Sequence, residues 1–188
     1  MLPTVAPKSI ENVRLRPLSP IPDVRGSLCE IYREGWDLAP RSVQWDLIAT
    51  RACALRGVHV HQIRFDYFVV VSGRATIGLS DLRRDSGSFR RSMMIEFSGE
   101  TPTVVVVPPG VAHGIYAHTE LTYLYGLTAP WDGGDGDLGC RYDDPEMGIA
   151  WPFADCILLP RDANLTDFET LIRQFEKAGG VRSEPFNP

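Results

Sequence analysis

Between Gly26 and Leu127 the chain is written as short apolar runs, four to nine residues long, separated by Gly, Pro and Ser. Nine of these runs, rich in β-branched and aromatic residues, predict strands: 26–32, 42–50, 57–62, 67–71, 75–79, 93–97, 103–107, 114–117 and 121–127. So many strands packed into about a hundred residues predict an all-β barrel or jelly roll rather than alternating β-α units. The periodicity changes only near the end. Leu165, Phe168, Leu171, Ile172 and Phe175 recur at helical spacing and predict a helix over 165–178. Thr166 is the expected N-cap, Glu169 its capping-box partner and Gly179 the stop. The helix would be an appendage packed on the barrel or on a partner subunit.

The chain has 188 residues, 44% of them hydrophobic and 23% charged, which predicts one folded domain over 1–188. Of 19 basic residues only Lys8 and Lys177 are lysines. Codon usage accounts for such a skew in general, but it removes any lysine Schiff base or phosphate-loop lysine from the body of the domain. A net charge of -5 at pH 7 and a pI near 5.4 argue against nucleic acid as partner. Four scattered cysteines form no C-x-x-C pair, and no signal-like or membrane-spanning apolar run is present, so a reduced, cytoplasmic location is expected.

Three of the four histidines fall in two strand-rich segments. His59 and His61 are two apart, which in a strand points both rings to one face. The stretch from Gly57 through His59, His61 and Asp66 to Gly73 resembles the first cupin motif, with Asp for Glu. Pro108 to His113 resembles the second. The resemblance implies a cupin jelly-roll barrel with His59, His61, Asp66 and His113 at one mouth. Imidazoles and a carboxylate suit a divalent metal such as Zn, Fe, Ni or Mn.

A more extended resemblance runs through Asp23 to Glu30, Val43-Gln44, Leu55 to His59, Ser80 to Arg83, Pro109 to Gly114, Asp144 to Pro152 and Leu159 to Leu165, in that order. These segments are similar to the dTDP-4-dehydrorhamnose 3,5-epimerase family, a branch of the cupins. The resemblance implies an isomerase acting on a nucleotide-linked 4-keto-6-deoxy sugar by proton abstraction next to the keto group, with no cofactor and as a homodimer whose N-terminal strands are exchanged. It implies His59 as base, Asp162 as the residue that orients it, and Tyr125 as acid, with Tyr123 its same-facing neighbour. Arg25 and Arg56 correspond to nucleotide-diphosphate contacts, and Glu30, Gln44 and His113 to other substrate-side positions. Asp81 and Arg83 read better as a structural pair at a strand end.

The chain departs from the family where it usually carries a glutamine and a lysine: His61 and Asp66 stand there. Tyr142 replaces a usual tryptophan, and the acidic residue before the G-x-x-W segment is displaced to Asp137 or absent. Two accounts follow. In one, His59 remains the base and Asp66 hydrogen-bonds His61, leaving the site one cation short. In the other, His59, His61, Asp66 and His113 bind a metal that replaces the lysine charge, with different chemistry such as ketoisomerisation, decarboxylation or oxygenation. A non-catalytic sugar-nucleotide binding protein is a third reading.

Overall fold

The computed structural model describes residues 9–131, 138–153 and 155–182. Among the described residues eleven strands are present: β1 (Arg14–Pro17), β2 (Ile21–Asp23), β3 (Gly26–Leu28), β4 (Gln44–Thr50), β5 (Leu55–His59), β6 (Asp66–Ser72), β7 (Arg74–Asp81), β8 (Ser92–Ser98), β9 (Thr103–Val107), β10 (Val111–Ala117) and β11 (Leu121–Leu127). A five-stranded sheet in the order β1-β9-β6-β11-β4 faces a four-stranded sheet in the order β5-β10-β7-β8. All ladders within both sheets are antiparallel. The expected jelly roll is the observed architecture.

Two strands went unforeseen. β1 is exposed along its whole length and contains two arginines and a proline, a composition tolerated only at a sheet edge, where it pairs with β9 alone. β2 pairs with β3 in a separate, fully exposed hairpin, and the run expected over 26–32 forms a strand only to Leu28. β5 ends at His59, so His61 lies just beyond the strand that was expected to carry it.

Alternation along the strands builds three apolar layers. Phe68 and Val70 of β6, with Val105 and Val107 of β9, point between the sheets and meet Ile77, Leu79, Ile115 and Tyr123. Tyr67, Val69, Val104 and Val106 point outward and are covered by Tyr32, Trp36 and Leu38 from the segment before β4. The outer face of the other sheet is covered by α2 (Phe168–Lys177). Its Phe168, Leu171, Ile172 and Phe175 pack on Val58, Val60, Leu82 and Ala112, each burial stabilising by about 1.5–3 kcal/mol. Asp167, not Thr166, caps this helix: its carboxylate accepts from the Thr170 backbone N–H, and so replaces the expected capping box. A shorter helix, α1 (Pro160–Ala163), precedes it. No helix among the described residues is long and apolar enough to cross a membrane.

The approach of β5 to β10 sets the position of His59. Gly57 has φ +128°, and a Cβ there would lie 2.6 Å from the Gly114 Cα and 2.8 Å from the His113 carbonyl oxygen. Both obstacles are backbone, so nothing can swing aside. Gly57→Ala is therefore expected to lower stability by about 2–4 kcal/mol, read as a shifted urea midpoint with unchanged slope.

Candidate active site

A cavity of about 270 Å³ opens between the two sheets, lined by Arg56, His59, His61 and His113 on one side and by Tyr123, Tyr125 and Phe68 on the other. His59 and His113 are register partners across β5 and β10, which puts both rings on the same face. Tyr123 and Tyr125 share a face of β11 because they are two apart.

Behind His59 stands Asp162, buried on α1, with Oδ1 2.9 Å from His59 Nε2. The short helix is held against the barrel by a parallel bridge between Ala54 and Ile157. Burial pushes the Asp162 carboxyl up, but the bond from His59, the Arg161 charge and the Gly57 N–H together hold its pKa below the ordinary carboxylate value. A carboxylate can only accept, so His59 carries its proton on Nε2 and presents the Nδ1 lone pair.

Opposite, the Tyr125 hydroxyl donates to Asp66 Oδ1 at 2.9 Å. Burial first, then the Asp66 charge, raises its pKa well above the ordinary 10, against a smaller opposing pull from Arg64. Tyr123 is pushed up to about 12 by burial.

The third feature is a buried polar cluster. The His113 Nδ1–H donates to the Val111 carbonyl at 3.1 Å, which leaves its Nε2 lone pair 3.3 Å from Asp66 Oδ2. Arg64 Nη2 donates to His61 Nε2 at 3.0 Å, and Arg64 Nε donates to Asp66 Oδ1 at 3.2 Å. Ligand atoms of His61, Asp66 and His113 lie within 4.8 Å of one another. That donor set has the chemistry of a metal site, but His59 is not part of the group whose ligand atoms converge. A guanidinium already bridges two of the three remaining ligands. As arranged, the cluster does not fit a divalent ion, which would have to displace a cation bonded to its own ligands.

His61 Nε2 stands 3.6 Å from Asp66 Oδ2, and Arg64 also links the two. One expectation about the departures is corrected: the cavity wall is not a cation short, since Arg64 lines it. Arg64 was missed because it sits two positions before the one where the family usually places lysine. Arg161 and Trp131, at the mouth, were missed as well. Arg56 lines the cavity as expected, donating to Thr50 Oγ1 and the Ala49 carbonyl. Gln44 lies near the rim, accepting from the Trp131 N–H and donating to Asp46.

Arg25 and Glu30 are not brought to the cavity. Arg25, its side chain 86% exposed, pairs with Asp23 at the turn of the β2–β3 hairpin, and Glu30 pairs with Arg33. Asp81 and Arg83 form the expected structural pair, joined by Ser86 and Ser88. Tyr142 packs near Phe153, its carbonyl accepting from the Trp151 indole, while Asp137 lies outside the described residues.

A model of the dTDP-4-dehydrorhamnose 3,5-epimerase family matches residues 7–170. The chain belongs to that family. Its relatives include a dTDP-4-dehydrorhamnose 3,5-epimerase of Sinorhizobium fredii, 30% identical over 77% of this chain and 78% of that protein. The spore coat polysaccharide biosynthesis protein SpsL of Bacillus subtilis is 26% identical over 76% of this chain and 96% of that protein. Among solved structures, the 3'-monoepimerase ChmJ of Streptomyces bikiniensis, in complex with dTDP-quinovose, superposes with a TM-score of 0.80 at 25% identity, covering 95% of this chain and 93% of that one. The epimerase RmlC of Legionella pneumophila, in complex with dTDP-4-keto-L-rhamnose, gives 0.82 at 22% identity over 95% and 97%, a likeness of fold.

Within this family member, burial pushes the His113 pKa down from 6.5 to about 3. The unfolded chain therefore takes up a proton below about pH 6.5 that the folded chain refuses, and stability is full above that pH and falls as pH drops towards 3. His113→Gln should remove about 2–3 kcal/mol of the stability lost between pH 7 and pH 4.5, measured by urea titration at both values.

Proposed function

We propose that this single-domain enzyme epimerises a dTDP-4-keto-6-deoxy sugar next to its keto group, without a cofactor and in the cytoplasm. The observation that carries the reading is the placement of a carboxylate-backed imidazole and a half-buried phenol on facing sheets of one cavity. Inversion needs a base on one face of the sugar ring and an acid on the other. His59 Nδ1 takes the proton from carbon, and Asp162 stabilises the imidazolium that results. Tyr125 returns a proton to the opposite face. Family membership and the nucleotide-sugar complexes of its structural relatives support the same substrate class. A cavity of about 270 Å³ suits the sugar ring alone, which leaves the nucleotide at the mouth beside Arg56, Arg161 and Trp131.

The exposed β2–β3 hairpin supports a homodimer. Ile21 and Leu28 are 64% and 65% exposed, and Arg25 is remote from the cavity of its own chain. A second copy would cover this apolar surface and could receive Arg25 and Glu30 as substrate contacts. A metal-dependent reading on His61, Asp66 and His113 has the cluster in its favour and Arg64 against it.

Incubation with dTDP-4-keto-6-deoxyglucose in heavy water should label C3, C5 or both; absence of label would sink the epimerase reading. His59→Asn and Asp162→Asn should each slow labelling by about 10²–10⁴-fold, and Tyr125→Phe should slow epimerised product more than exchange. Because the Tyr125 pKa is raised, its proton stays in place through pH 10, so the alkaline limb of kcat is expected above that value. Light scattering should give twice the chain mass, and metal analysis less than about 0.1 ion per chain.

A further inference from the structure

Abstraction of a proton beside a ketone pushes an electron pair onto the keto oxygen, and the reaction needs a donor at that oxygen. His59 and Tyr125 are occupied with the two protons at carbon in the reading above, on which this inference rests. His61 Nε2, His113 Nε2 and the oxygens of Asp66 are acceptors and offer an oxyanion no proton. Three arginines line the cavity. Arg56 is tied to Thr50 and the Ala49 carbonyl on β4, and Arg161 is a half-exposed group at the mouth. Neither neighbours the phenol.

Arg64 does. It is 3% exposed yet forms part of the cavity wall. Its Nε and the Tyr125 hydroxyl both donate to Asp66 Oδ1, at 3.2 and 2.9 Å, and its Nη2 donates to His61 Nε2. A guanidinium in a dry wall is costly unless its partners are fixed, and here a carboxylate and an imidazole fix the plane of the fork. Five N–H donors in one rigid plane allow it to hold these partners and still address an oxygen in the cavity.

We propose that Arg64 binds the 4-keto oxygen of the sugar and carries the enolate charge during epimerisation, with Asp66 and His61 as the positioning residues that aim it. The C–H electron pair becomes the C=C bond as His59 takes the proton, and the C=O π pair moves onto the oxygen held by Arg64. When Tyr125 protonates carbon on the other face, that pair re-forms the carbonyl. No oxidant, metal or co-reactant is consumed.

The test compares wild type with Arg64→Met, Arg64→Lys and the double variant Arg64→Met/Asp66→Asn, which removes both buried charges. In heavy water, Arg64→Met should lower the exchange rate at saturating dTDP-4-keto-6-deoxyglucose by about 10²–10³-fold with KM within about threefold. Arg64→Lys should recover at least about tenfold of the loss, since it restores a cationic donor without the fork. The double variant should regain thermal stability but not rate. Its recovery of both would show that Arg64 only neutralises Asp66, and overturn the proposal. So would stoichiometric metal in the wild type together with loss of exchange on chelation.

Calorimetry decides the same point without turnover. Wild type should bind the 4-keto nucleotide sugar about 3- to 10-fold tighter than dTDP-glucose, which has a hydroxyl at that carbon, and Arg64→Met should level the two. An unaltered preference overturns the assignment. A wild type that discriminates the ketone but does not exchange would sink the epimerase reading and leave Arg64 as the ketone-recognising group.

Discussion

Asp66 opens β6, a strand whose two faces are both covered by apolar layers, and the residue is 1% exposed. A carboxyl group in that place cannot rely on water, so the chain around it has to bring polar partners inward. Tyr125 arrives from the neighbouring strand β11, His113 from the facing sheet, and Arg64 from the loop that leads into β6. The polar wall of the cavity is the consequence of satisfying one buried acid. The apolar remainder of the barrel interior, Ile77, Leu79, Val105 and Ile115 among others, closes off the alternative of flooding it.

The opposite wall obeys a different constraint. There the backbones of β5 and β10 approach until only hydrogen fits at Gly57, and the register sets His59 against His113. Two histidines side by side then acquire opposite characters from their second nitrogens. One bonds to the Asp162 carboxylate, which fixes its tautomer; the other donates to the Val111 carbonyl in a dry site, where burial keeps it neutral. The cavity combines a wall in which Asp162 holds an imidazole with a wall in which Asp66 holds a phenol.

The barrel was legible in the sequence because strands buried on one or both faces leave a period-two or continuous apolar record, as in 67–71 and 103–107. β1 left no such record, since an exposed edge strand needs no apolar face. That His59, Tyr125 and Asp162 gather at one cavity was legible through ordered motifs. Arg64 was not, because charge in a cavity is set by where a side chain ends, and a residue two positions away along a loop can deliver its head group to the same region. Of the four expected metal ligands, His61, Asp66 and His113 converge while His59 bonds to Asp162, because the motif fixes which histidines approach one mouth and not which of them share a point in space.

The barrel strands occupy residues 14–127, whereas Asp162 lies far beyond them on α1, tied back by the bridge between Ala54 and Ile157. During synthesis the cavity, its histidines and its tyrosines can therefore assemble while the carboxylate behind His59 is still inside the ribosome. A nascent barrel of this kind has both sheet walls of its cavity, without Arg161 at the mouth, and an imidazole not yet held by Asp162. The order of the chain makes orientation of that ring one of the last steps of maturation, after the sheets that carry it are closed.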